Sequence, residues 1–320
     1  MSSSKAALLL VAIIAYFLVV EIPVLLSAQT SGSSRPIVVT TTTVLGSIVG
    51  DLAGDLVDVE VVASPAVCPA HYDVKPSDIE KIRMAGLVLA HGMEPWVDSL
   101  VAAAGGAVPV AKVGGGWGTP QQLKRLYSSV AQALEEYLGL DLGDRLSKCL
   151  SAIDSVESTL KNMARDYGFE GVPVVSMAWQ KPFVEFLGFK VVASYGPPET
   201  VTQKLYIDVI ANATLYGAVL VIDNLQSGTD LGESIAKEIG AVHVALSNFP
   251  GVSPETSNMT GLMLYNAKIL ARALGEAQAR SELSKAMKEV EFWRALSVAL
   301  GGLSTSLAIG VAILALRSRR

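Results

Sequence analysis

The chain has 320 residues, 51% hydrophobic and 17% charged, with a formal net charge of −5 and two cysteines. At roughly 100–200 residues per domain this length accommodates two lobes. Twenty-five basic against 30 acidic residues, without a long basic run, leave no electrostatic footprint for nucleic acid. Two cysteines make neither a disulfide framework nor a paired CxxC site for zinc or redox chemistry.

Residues 1–28 open with a single Lys5, continue as an apolar run broken by Glu21, and end in small residues near Ser27 and Ala28. That pattern predicts a signal peptide or an N-terminal anchor. From Pro36 short β-branched runs alternate with helical stretches, with strands expected at 37–42, 57–63, 87–90 and 107–111 and helices at 47–52 and 76–84. Such alternation argues a parallel, doubly wound sheet, here an N-terminal α/β lobe over 36–119. Over 120–167 apolar residues, mostly leucines, recur at helical spacing, from Leu123 and Leu126 to Ile153 and Leu160, which reads as one long connecting helix that Gly139 and Gly143 could bend.

A second α/β lobe is expected over 168–254, with strands at 172–177, 189–193, 218–223 and 241–246. A closing helix follows over 255–292, with Ser253 or Thr256 as its cap. Residues 295–316 are an uninterrupted uncharged run, enough for the ~20 residues that cross ~30 Å of hydrocarbon. The run precedes a basic tail, 317–320, and positively charged flanks stay cytoplasmic. The expected arrangement is therefore a single-pass cell-membrane protein whose body lies on the extracellular or periplasmic side. Its two lobes, with separate cores, should flank a cleft at the carboxyl ends of their strands, where open α/β sheets place ligands.

Three segments carry a family resemblance: 37–47 (IVVTTTTVLGS), 68–78 (CPAHYDVKPSD) and 92–96 (GMEPW). They resemble, in this order, the first lobe of the zinc- and manganese-type solute-binding proteins of ABC importers, with a DPHxYxxxPSD-like and a GxExW-like loop. The stretches 176–183 (SMAWQKPF) and 261–268 (GLMLYNAK) resemble the family's second half. The resemblance covers about residues 36–275 and implies two α/β lobes joined by one long connecting helix, an interlobe cleft and a transition-metal cargo, zinc or manganese. It also implies an ABC permease and its ATPase as partners, and the uncharged run 295–316 adds membrane lipid, met through the C-terminal helix.

The family's four metal-binding positions fall on Ala70, Gly115, Met177 and Ser247. A tetrahedral zinc site needs nitrogen, thiolate or carboxylate donors, so the full family site is not present. The replacement candidates are His71 and His91, which follow apolar strands of the first lobe. Cys68 could add a thiolate, and the Met177 thioether beside Cys and His would favour a soft metal such as Cu(I). Asp223 and Asn224 end an apolar strand, where a cleft contact and a turn are both open readings. Trp117 and Trp179, with Gly115 in the glycine-rich stretch 114–116, would line a cleft roomier than a bare cation needs. His243 alternates with Val242 and Val244 and reads as structural.

No GxSxG, P-loop or HExxH motif is present, and no enzymatic activity is expected. The function that follows is an extracytoplasmic, membrane-anchored solute-binding protein delivering a transition-metal ion to an ABC permease. The alternatives are a binder of a metal complex or organic solute on the same fold, and a surface adhesion or scaffold protein.

Overall fold

The computed structural model describes residues 35–318; the expected N-terminal segment and the last two residues of the basic tail lie outside the described residues. Four strands, β1 (Ile37–Thr40), β2 (Asp58–Val61), β3 (Leu87–Ala90) and β4 (Val110–Lys112), form a parallel sheet in the order β2-β1-β3-β4. β3 is buried throughout, as its unbroken LVLA run demands for a strand covered on both faces. β2 keeps both Asp58 and Glu60 exposed, the charged edge that discourages a further strand from pairing.

The connecting helices are α1 (Thr43–Ala53), α2 (Pro76–Met84) and α3 (Val97–Ala103), of which α3 escapes the sequence reading. α1 starts at Thr43 because the Thr42 hydroxyl accepts the Leu45 N–H. α2 starts with Pro76 in its first turn, while the Asp78 carboxylate accepts the Lys75 N–H.

The stretch expected as one connector holds two helices, α4 (Pro120–Leu138) and α5 (Gly143–Asp166). Gly139 ends α4 at φ +66°, a left-handed conformation that only glycine adopts without cost. The helix that enters the second lobe is thus α5, 24 residues long, or ~36 Å at 1.5 Å per residue.

The second lobe repeats the first. β5 (Pro173–Met177), β6 (Lys190–Tyr195), β7 (Leu220–Asn224) and β8 (Val242–Leu246) form a parallel sheet in the order β6-β5-β7-β8. Its helices are α6 (Lys181–Phe186), α7 (Gln203–Tyr216) and α8 (Asp230–Ile239). The final helix, α9 (Met259–Arg317), has 59 residues and merges the expected closing helix with the expected membrane segment. Its cap is Asn258, whose side chain accepts the Gly261 N–H; Ser253 and Thr256 instead close a one-turn 3-10 segment upstream.

The cores depart from expectation. The outer face of each sheet has its own core, Val39, Ile82 and Val88 in one lobe and Val175, Val221 and Ile235 in the other. The inner faces share a single core that runs from Val38 and Leu89 through Leu126, Leu134 and Leu160 to Val174, Ile222 and Leu270. α4, α5 and the first turns of α9 supply its middle, so the lobes are welded along one side.

Candidate functional site

The carboxyl ends of both sheets meet at the open side of this weld. β1 runs out into Thr41 and Thr42, both fully buried, and β3 into His91, 7% exposed. His91 Nε2 lies 2.9 Å from Thr42 Oγ1, and its ring stacks on Trp117 at 4.5 Å between centroids. His91 Nδ1 is buried and has no partner. Burial dominates the Glu94 charge nearby and pushes the imidazole down to about 4, so the ring is neutral at physiological pH.

Glu94, buried at 6% exposure, accepts the Thr41 hydroxyl and the backbone N–H groups of His91 (3.1 Å) and Gly92 (2.9 Å). It fixes the turn that presents His91. The GMEPW stretch carries that signal, although the sequence reading singles out only the histidine.

Among the described residues three polar contacts cross between the lobes here, beside the Trp117–Phe249 ring contact at 6.0 Å. Trp117 Nε1 donates to the Asn248 carbonyl at 3.0 Å, Gln226 Nε2 donates to the Pro65 carbonyl at 2.9 Å, and His71 Nε2 stands 3.7 Å from Glu199 Oε1. His71 and Glu199 are exposed side chains, 65% and 55%, so this pair sits at a wet rim and adds little. Gln226 is more tightly held. Its Nε2 also donates to Ser247 Oγ at 2.8 Å, and its Oε1 accepts the Asn248 N–H at 3.1 Å.

The remaining sequence candidates divide into cleft and core. Ser247 Oγ is committed, donating to the Phe249 carbonyl and accepting from Phe249 N and Gln226. Asn224 is buried at the end of β7 with its Oδ1 accepting from Gln226 N and Ser227 Oγ, and its Nδ2 unpartnered. Gly115 has φ +122°, and a Cβ there would meet open space. Cys68 is a half-buried free thiol, and its carbonyl accepts the His71 N–H in the 3-10 turn Pro69–His71. Trp179 is 54% exposed.

Met177 and Asp223 belong elsewhere. Met177 is fully buried in the outer core of the second lobe with Val209, Val221 and Ile235. Asp223, 2% exposed, accepts the Tyr195 hydroxyl at 2.9 Å and faces His243 Nε2 at 3.3 Å. Burial and the neighbouring Asp223 push the Tyr195 hydroxyl up, so it stays a donor. Among the described residues no group of three or more His, Cys, Asp or Glu side chains is gathered as a metal cluster would require.

The residues that carry the sequence pattern are braces. Tyr72 donates to Asp78 at 2.8 Å, and Trp96 Nε1 donates to the Pro69 carbonyl at 2.7 Å while its ring lies 5.3 Å from that of Tyr72. Together they hold the 68–78 loop against the start of α3.

Two parallel α/β lobes of matching strand order, joined by a long helix and facing each other across their strand ends, define a two-lobed binding-protein fold. The family model for the periplasmic zinc-uptake complex component A, ZnuA, matches residues 38–273, and the chain belongs to that family. Among solved structures it is similar to the periplasmic zinc-binding protein TroA from Treponema pallidum, with a TM-score of 0.65 and 16% identity over 75% of this chain and 99% of that one. It is also similar to a periplasmic metal-binding protein from Candidatus Liberibacter asiaticus, with a TM-score of 0.65 and 15% identity over 75% and 100% of the two chains. A zinc-bound deletion mutant of ZnuA gives a TM-score of 0.61 and 17% identity over 75% and 98%. At these identities the likeness establishes the fold. An uncharacterized protein from Rickettsia prowazekii, RP014, is 41% identical over 56 residues, so the matched stretch spans only 19% of that relative and 18% of this chain.

Proposed function

We propose that the chain is the solute-binding component of a metal-type ABC importer, anchored outside the cell by α9 and presenting a transition-metal cargo of the zinc or manganese class to a permease and its ATPase. Membership of the zinc-uptake family supports the class of cargo. α9 supports the anchorage, since it contains a window long and apolar enough to cross a membrane with none of it buried in the body. Function here is capture and release, with no covalent step.

The observation that carries the site assignment is the unpartnered Nδ1 of buried, neutral His91 beside Trp117. In the tautomer whose Nε2–H donates to Thr42 Oγ1, Nδ1 holds a lone pair, the state in which imidazole ligates a metal. One imidazole is too few donors for a bare ion. Ala70, Gly115, Met177 and Ser247 at the family's ligand positions, and the missing three-donor cluster among the described residues, favour a second form of the reading. In it the metal arrives with ligands of its own, in a complex that uses the Trp117 face and the open space beside Gly115.

Elemental analysis of the full-length chain, purified from its membrane without added metal, tests both forms. Substoichiometric to equimolar zinc, manganese or copper that is lost in His91→Ala supports the metal reading, and co-purification of an organic ligand with that metal supports the second form. Metal-free protein whose melting temperature responds to none of these ions, free or as citrate complexes, contradicts both.

A further inference from the structure

α9 leaves the body after Ala273 and Leu274, its last buried residues, and every described residue from 278 to 318 is exposed. Charged and polar residues would suffice for a lone solvated stalk. Instead Leu283, Ala286, Val290, Trp293, Ser297 and Leu300 follow one another at alternating spacings of three and four. That 3.5-residue period keeps one seam facing a partner helix. Leu283, Val290 and Trp293 are 62%, 66% and 56% exposed, and nothing in the body covers them.

The charges beside the seam choose the partner. With Leu283 and Val290 in the first core position of successive heptads, Glu282 and Glu289 flank one side of the seam and Arg280 and Arg294 the other. In a parallel pair of identical helices a residue on the first side meets the residue five further on in its neighbour. Glu289 then faces the partner subunit's Arg294, and no like charges oppose each other. An antiparallel pair would set Glu against Glu and Arg against Arg. Two copies inserted in one membrane with the same orientation are parallel by construction. The seam continues at the same spacing through Ser304, Leu307 and Val311 of the apolar run, where small and polar residues allow helices to approach closely.

We propose that the chain pairs with a second copy of itself through a parallel two-stranded coiled coil over 283–300, continued into the membrane, so that two binding bodies stand on one stalk. The proposal rests on the membrane anchorage put forward above. Its test uses the full-length chain in native membranes, with Cys68→Ser and Cys149→Ala removing the native thiols. Leu283→Cys, Val290→Cys, Lys285→Cys and Lys288→Cys are introduced singly and oxidised with copper phenanthroline. Disulfide-linked dimer at 283 and 290, several-fold stronger than at 285 and 288, is the expected result. Glu289→Arg should lower the yield at Val290→Cys several-fold, and adding Arg294→Glu should restore it. Equal linkage at all four positions, linkage mainly at 285 and 288, or a product containing a different protein overturns the proposal. Alkaline carbonate extraction separates the two failures. A chain released by carbonate removes the anchorage and the proposal with it, whereas a chain retained but unlinked at 283 and 290 removes the proposal alone.

Discussion

His91 pays for its position in solvation, and the cost is measurable. Its imidazole is held near 4 in the folded chain by burial, against an ordinary value of 6.5. Between these values the unfolded chain takes up a proton that the native site refuses. Stability therefore falls as pH drops from about 6.5 to about 4, and this contribution is flat below that window. The full difference amounts to roughly 3 kcal/mol at 1.36 kcal/mol per pH unit. Urea unfolding of metal-free protein at pH 7, 5.5 and 4 should show wild type losing more stability than His91→Gln by about that amount. Equal losses in the two proteins would mean that His91 is solvated in the native state.

The same scale explains which residues could be read from sequence. Tyr72, Asp78, Glu94 and Trp96 build the loops at the strand ends by hydrogen bonds and ring contact, so the pattern they form belongs to the fold of the lobe itself. Ligand positions have no such duty to the fold. Ser247, which the resemblance leads one to expect at the closing ligand position, is tied here into a bridge through Gln226 to Pro65. Thr41 and Thr42 fall within the matched 37–47 stretch without standing out from it, and Gln226 leaves no mark in the sequence at all, because its amide gains its role only from what the opposite lobe puts in front of it.

At the scale of elements, strands were legible because a strand buried on both faces is dominated by apolar residues, wholly in LVLA at 87–90 and all but Ser176 in PVVSM at 173–177. The break in the connector was legible only as a bend, at Gly139 and Gly143. The leucine period runs through both α4 and α5, and the four residues 139–142, opened by the left-handed Gly139, separate them. α8 holds a second feature hidden from sequence. Gly232 lies so close to β7 that a Cβ there would overlap the Asp223 carboxylate and come within 2.6 Å of the Tyr195 hydroxyl. Both partners are buried and bonded to each other, so neither can swing aside. Gly232→Ala should therefore destabilise the protein at the upper end of the overpacking range, about 3 kcal/mol by denaturant unfolding. A change below about 0.5 kcal/mol would show that α8 shifts freely over the sheet.

At the scale of the whole molecule, the continuous inner core decides how the lobes can move. A cleft between separate cores would open as a hinge, whereas lobes welded through α4, α5 and α9 can only tilt by small adjustments of side-chain packing. Periodicity cannot reveal this, since an apolar face reads the same whether it meets its own lobe or the other one. Such a frame suits a site whose donors are already in place, with Trp117 bonded to Asn248 across the gap and His91 stacked beneath it. The central claim is that this pair receives a metal-bearing cargo. Titration calorimetry of the full-length chain with zinc, manganese and copper(I), each free and as its citrate complex, measures it most directly. Binding tighter than millimolar is expected for at least one of these, weakened tenfold or more, about 1.4 kcal/mol, by His91→Ala and by Trp117→Ala. Absence of binding for all of them, or an affinity unchanged by both substitutions, would contradict that claim.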